Sequence, residues 1–129
     1  MGREGEKGKK RVESREAILD FQYAEKMKSG LIIGVNLLGQ LASLNEEELC
    51  GGRKVLVWYM EGLLRETQVA GNVFGTANFL RLEQKITEVI EEIEMSQFEE
   101  AQRSFSEAIS LATTLCQTSM SFLVEKKLI

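Results

Sequence analysis

"GLIIGVNLLGQLASL", residues 30–44, is the most apolar stretch of the chain, yet three glycines are spaced along it. Three readings compete for it: a membrane span, a glycine-zipped dimer face, and the buried centre of a water-soluble helix. The run without a charged side chain or Gly30, residues 31–44, is 14 residues long and is broken by Asn36, Gln40 and Ser43. A membrane span needs about 20 apolar residues. Lys26 and Lys28 precede the stretch and Glu46, Glu47 and Glu48 follow it, ordinary flanks for a helix in water. The stretch therefore reads as a helix inside a soluble bundle, with no membrane insertion.

Working outward, Ser14 can cap a helix that begins at Arg15 and runs to Leu44. Tyr23, Met27, Gly30, Gly34, Leu37, Leu41 and Leu44 form one stripe at three-four spacing. Ala17, Phe21, Ala24, Leu31, Val35, Leu38 and Ala42 form a second, interrupted at Lys28. Two stripes imply neighbours on two sides, the situation of a helix within a bundle. Asn45 with Glu48 three residues on has the form of a capping box. Gly51-Gly52 then offers a helix stop, so the second helix is expected near Arg53, or alternatively from Glu46 through the glycines. Residues 55–64 are apolar almost all round. A third helix is expected from about Ala77 to Met95, with Phe79, Leu82, Ile86, Val89 and Ile93 in strict three-four spacing. Ser96 with Glu99 repeats the capping-box pattern before a fourth helix. That helix carries Phe98, Ala101, Phe105, Ala108, Ala112, Leu115, Ser119 and Phe122 on a heptad stripe, widened by Ile109, Cys116 and Leu123.

No segment alternates with the period of a strand. The expected fold is all-α: an antiparallel up-down-up-down four-helix bundle over residues 14–129, preceded by a flexible, disordered charged tail over 1–13. The tail, "MGREGEKGKKRVE", offers little but Val12 for burial.

Each glycine inside a helix costs about 1 kcal/mol relative to alanine, so the glycines need a reason. Pairing the first two helices about Gly51 sets Gly39 opposite Tyr59 and beside Trp58, and sets Gly71 and Gly75 toward Met27 and Tyr23. The glycines then read as notches for large side chains within the bundle. The GxxxG spacings Gly30/Gly34 and Gly71/Gly75 offer the alternative of a dimer face. Pairing about Ser96 sets Ala108 and Ala112 opposite Leu82 and Phe79, small against large.

Composition limits the chemistry. The 129 residues are 43% hydrophobic and 28% charged, with a net charge of −4 and no proline. Such a balance gives no general attraction to nucleic acid or anionic lipid. Histidine is absent, which removes the commonest general base and metal ligand together. Cys50 and Cys116 stand far apart without CxxC spacing, and no apolar signal segment is seen at the start. Two reduced thiols in a cytoplasmic protein are expected. The carboxylates Glu88, Glu91, Glu92, Glu94, Glu99 and Glu100 cluster around the third turn, but Met95 stands where an EExxE metal motif needs its last glutamate, and no ExxD follows. They are expected to face water, with no metal and no cofactor held.

The leading expectation for function is a non-enzymatic bundle acting by protein–protein contact: a homo-oligomeric adaptor, small chaperone or complex subunit, a dimer being favoured. The interface candidates are Phe21, Val55, Trp58, Phe122 and Leu123. The first, fourth and fifth lie on stretches where the outer helices overhang their neighbours, and the others on the apolar 55–64 segment. An alternative is a small-molecule-binding or carboxylate-metal enzyme with a pocket near Asn36, Gln40, Trp58 and Glu61. Burial would raise the pKa of Glu61, although pairing with Lys54 or Arg65 is the simpler expectation. A second alternative is an RNA-binding accessory protein using Lys7, Lys9, Lys10 and Arg11 as a basic arm, which Glu4, Glu6 and Glu13 dilute.

Overall fold

The computed structural model describes residues 2–74 and 77–126, with side chains described for 15–71 and 79–126. Four helices and no strand occur among them: α1 (Gly2–Leu41), α2 (Glu46–Phe74), α3 (Ala77–Glu94) and α4 (Phe98–Glu125). Each packs on its chain neighbours, and α1 and α4 close the ring, which gives the up-down-up-down bundle.

Helix α1 starts at Gly2 rather than Arg15, so the backbone of the stretch expected to form a tail continues the helix. The absence of proline permits that. The side chains of residues 1–14, including the basic arm, lie outside the described residues. The buried line along α1 is Ala17, Ala24, Met27, Leu31, Leu38 and Leu41, drawn from both expected stripes. Gly34 belongs to the same heptad line, and so does Asp20. One Asp20 carboxylate oxygen is buried without a hydrogen-bond partner. Burial, and then the charge of Glu16, push its pKa up.

After Leu41 the chain turns through Ser43, whose hydroxyl donates to the Gln40 carbonyl at 2.7 Å. The capping box then opens α2 as the sequence indicates. Asn45 N–H donates to Glu48 Oε1 at 3.2 Å and Glu48 N–H donates to Asn45 Oδ1 at 2.8 Å. Asn45→Ala should lower the urea unfolding free energy by about 1 kcal/mol. An unchanged midpoint would show that the cap contributes nothing in solution.

Helix α2 runs through Gly51-Gly52 without stopping. A Cβ on Gly52 would stand 2.8 Å from Leu41 Cδ2 and 3.0 Å from Leu44 Cδ1. Gly52 is a close-approach position that lets the end of α1 cover the start of α2, and it is not a helix terminator. Because α2 begins at Glu46, the α1–α2 register shifts from the one expected. Gly39 has no side chain near its Cβ position. Gly30 and Gly34 are instead the notches, the first against Leu63 (2.7 Å) and the second against Phe105 (2.8 Å) and Met60 (3.0 Å). Tyr59 Oη donates to the Gly30 carbonyl at 2.8 Å. Met27 faces Thr67, whose Oγ1 lies 2.9 Å from Met27 Sδ, and does not face Gly71. Gly75 lies outside the described residues.

The α3 stripe is buried as read: Phe79, Leu82, Ile86, Val89 and Ile93 are at most 1% exposed. The α3–α4 junction differs from the expected capping box. Ser96 adopts φ 57°, Ser96 N–H donates to the Ile93 carbonyl and Gln97 N–H to the Glu92 carbonyl. This is a Schellman ending for α3, with serine in the left-handed position glycine usually takes. No side chain caps α4 at Gln97. The Ser96 hydroxyl accepts a 2.7 Å hydrogen bond from Arg53 Nη1, which ties the α3–α4 corner to α2.

Along α4 the buried line is Ala101, Phe105, Ala108, Ala112, Cys116, Ser119 and Leu123. It leaves the heptad positions Leu115 and Phe122 half-buried and takes Cys116 and Leu123 in their place. Packing of α4 against α1 accounts for this. Gly34 meets Phe105, and the Cys116 thiol lies near Glu25. Continued along the antiparallel pair, the same register brings Leu123 level with Ala17, and both are buried.

Candidate functional site

The interface candidates separate into two groups. Leu123 is buried inside the bundle, and Phe21 and Phe122 are half-buried. Lys126 Nζ lies 5.7 Å from the Phe122 ring centroid. Of the three, Leu123 is the one fully withdrawn from solvent, level with the buried Ala17 of α1. Val55 and Trp58, by contrast, are 57% and 64% exposed. They stand on the outer face of α2, opposite its core line of Leu56, Met60, Leu63, Thr67 and Ala70.

Helix α1 carries Ile33 and Leu37 beside them, 53% and 41% exposed. Neither is among the expected interface residues, because Ile33 falls on neither apolar stripe of α1 and Leu37 falls on one expected to face the core. Their signal is the excess: α1 has more apolar residues between 30 and 41 than its buried line uses. A groove of ≈580 Å³ lies between the two helices, lined by Ser29, Gly30, Ile33, Trp58, Tyr59 and Gly62 among others. Lys26 and Glu66 pair across its end at 3.5 Å. Burial raises the Tyr59 pKa, with Glu66 adding to it, so the phenol stays protonated at neutral pH. The face offers apolar area and a few neutral donors, with one solvent-exposed ion pair at its rim.

The expected pocket of Asn36, Gln40, Trp58 and Glu61 does not come together. Trp58 and Glu61 line a second groove, between α2 and α3, with Arg53, Lys54, Val57 and Glu94. Asn36 and Gln40 are exposed on α1 and line neither groove beside Trp58. Glu61 is exposed and forms none of the ion pairs found among the described residues.

A third groove, between α3 and α4, holds Arg81, Lys85, Arg103 and Glu107. Lys85 is held by Glu88 at 2.7 Å and Glu107 at 2.5 Å. The hydrogen bond to Glu107 and then the one to Glu88 raise its pKa, so it stays charged and matched by carboxylates.

The carboxylates near the third turn point apart. Glu91, Glu94, Glu99 and Glu100 are exposed. Glu92 turns partly inward, where Oε1 accepts from Ser104 Oγ at 2.9 Å and the other oxygen is buried without a partner. The small buried Ser104 leaves room for it, which the apolar stripe of α3 alone does not reveal. Among the described residues no three acidic or thiol groups are placed to hold one metal ion.

Cys50 is exposed, and Cys116 is buried. Burial, with Glu25 adding to it, pushes the Cys116 thiol up to about 11, so it is protonated and unreactive at neutral pH. Among the described residues no helix is long and apolar enough to cross a membrane. Compared with protein families, curated proteins and solved structures, the chain matches none.

Proposed function

We propose that the protein acts by protein–protein contact, as a homo-oligomeric bundle whose working surface is the outer face of α1 and α2, and that it is not an enzyme. The observation that carries this reading is the grouping of Ile33, Leu37, Val55 and Trp58, each at least 41% exposed, on adjacent helices. Singly exposed apolar residues are ordinary, but a contiguous group with a tryptophan at its centre is the composition of an interface core.

Light scattering at high micromolar concentration should give a mass twice the 14.5 kDa of the chain. Trp58→Asp should return it to 14.5 kDa with its helical circular dichroism intact. A wild-type protein that stays monomeric at that concentration would overturn the proposal.

A further inference from the structure

The open glycines of α2 specify how the second copy docks; this inference rests on the self-association proposed above. Gly51, Val55, Trp58, Gly62, Arg65 and Val69 recur at alternating four- and three-residue steps, and all six are exposed. They form an a/d seam on the outside of α2, the pattern that packs against another helix. At Gly51 and Gly62 an added Cβ would meet nothing within 4 Å. Unlike Gly30, Gly34 and Gly52, these two glycines accommodate no side chain of their own chain. Each still carries the helix-propensity cost of glycine.

The spacing supplies the missing partner. Trp58 and Gly62 are centred on residue 60, and so are Val69 and Gly51, and Val55 and Arg65. A two-fold axis beside residue 60, relating two antiparallel copies of α2, sets Trp58 and Val69 each against a glycine whose Cβ position is open, and Val55 against the flexible Arg65. A two-fold contact requires this kind of reciprocity. We infer that α2 packs antiparallel on α2 of a second copy, with Trp58 of each seated on the partner's Gly62 and Val69 on the partner's Gly51.

Arg65 lays its aliphatic stem over the partner's Val55 and stays one turn from Glu61, which flanks the axis and meets its own copy there. The seam spans about 27 Å at ~1.5 Å per residue, and with α1 alongside it is roughly 20 Å wide. That footprint, about 540 Å² per copy and about 1,100 Å² for the pair, reaches the ~1,000 Å² that a specific interface needs.

Three measurements test the register. Gly62→Leu has open space in the monomer, so it should fold with an unchanged or higher Tm. It should also fill the seat of the partner's Trp58 and raise the dimer Kd by at least about thirtyfold. Exchanging knob and hole, Trp58→Gly with Gly62→Trp, should restore dimerisation. In the wild type, a spin label on exposed Cys50, with Cys116 buried and unlabelled, should report a distance of about 30–40 Å, since the two sites lie ten residues on either side of the axis. A wild-type dimer with a Cys50 distance below about 20 Å, no weakening by Gly62→Leu, or no recovery on the exchange would overturn the register and leave self-association standing. A monomeric wild type would overturn both.

Discussion

Phe105→Ala should destabilise the bundle by about 3–5 kcal/mol, the usual cost of emptying a fully buried phenylalanine site. Phe105 has no exposed surface and is the point where α4 meets α1: its ring edge lies 2.8 and 3.1 Å from where a Gly34 Cβ would stand. The absence of that Cβ is what lets the ring in, so the two positions should be coupled. In the wild type, Gly34→Ala gains about 1 kcal/mol of helix propensity but presses on Phe105 and on Met60 Sδ at 3.0 Å. Overpacking of this kind costs about 1–3 kcal/mol, so the net effect should be neutral to destabilising. In a Phe105→Ala background the Phe105 clash is gone and Gly34→Ala should become stabilising by a few tenths to about 1 kcal/mol. Urea unfolding of the four proteins gives the cycle. An identical Gly34→Ala effect in both backgrounds would mean that Phe105 does not sit on Gly34 in solution. Against a total stability of about 5–15 kcal/mol, Phe105→Ala removes a large part of the fold's margin.

What the sequence reveals here is what local physics decides. The number and order of the helices follow from apolar periodicity without proline, and the α3 stripe from Phe79 to Ile93 is buried position by position. The Asn45/Glu48 box is local as well, and it forms. The misreadings occur where a tertiary contact decides. Ser96/Glu99 has the same pattern as a capping box, but the left-handed Ser96 finishes α3 and takes its hydroxyl bond from Arg53, 43 residues away in sequence. Gly51-Gly52 resembles a stop because the chain alone does not reveal that Leu41 and Leu44 need the space over Gly52. That one misplacement shifts the α1–α2 register and moves the notch from Gly39 to Gly30 and Gly34.

The candidate surface is legible in the same partial way. Val55 and Trp58 stand out as surplus on the segment 55–64, which is apolar almost all round. Leu123 is instead buried, level with Ala17 on the neighbouring α1. Gly62 carries no signal beyond its own cost until its surroundings are known to be empty.

Large and small residues meet across α3 and α4, but in a register about three residues from the expected one, with Ala112 level with Leu82 rather than with Phe79. Lys85 reaches Glu107 and Ser104 reaches Glu92, contacts that bracket an antiparallel register in which Ala112 stands level with Leu82. Both are completely buried. Leu82→Ala alone should cost about 2–5 kcal/mol through the cavity it leaves. Ala112→Leu alone should cost about 1–3 kcal/mol, because the added volume has nowhere to go without forcing Leu82 or the neighbouring backbone aside. Combined, the two substitutions conserve the volume of the layer while reversing which helix supplies it. The double variant should therefore be more stable than the sum of the single effects by about 0.5–3 kcal/mol, the range measured for residues in contact. Urea denaturation with an unchanged m-value is the measurement, since a changed slope would signal a loss of two-state unfolding rather than a packing effect. Strict additivity, within about 0.5 kcal/mol, would place Ala112 against some other residue. The α3–α4 register would then have to slide by a turn, carrying the Lys85–Glu107 and Glu92–Ser104 contacts out of reach.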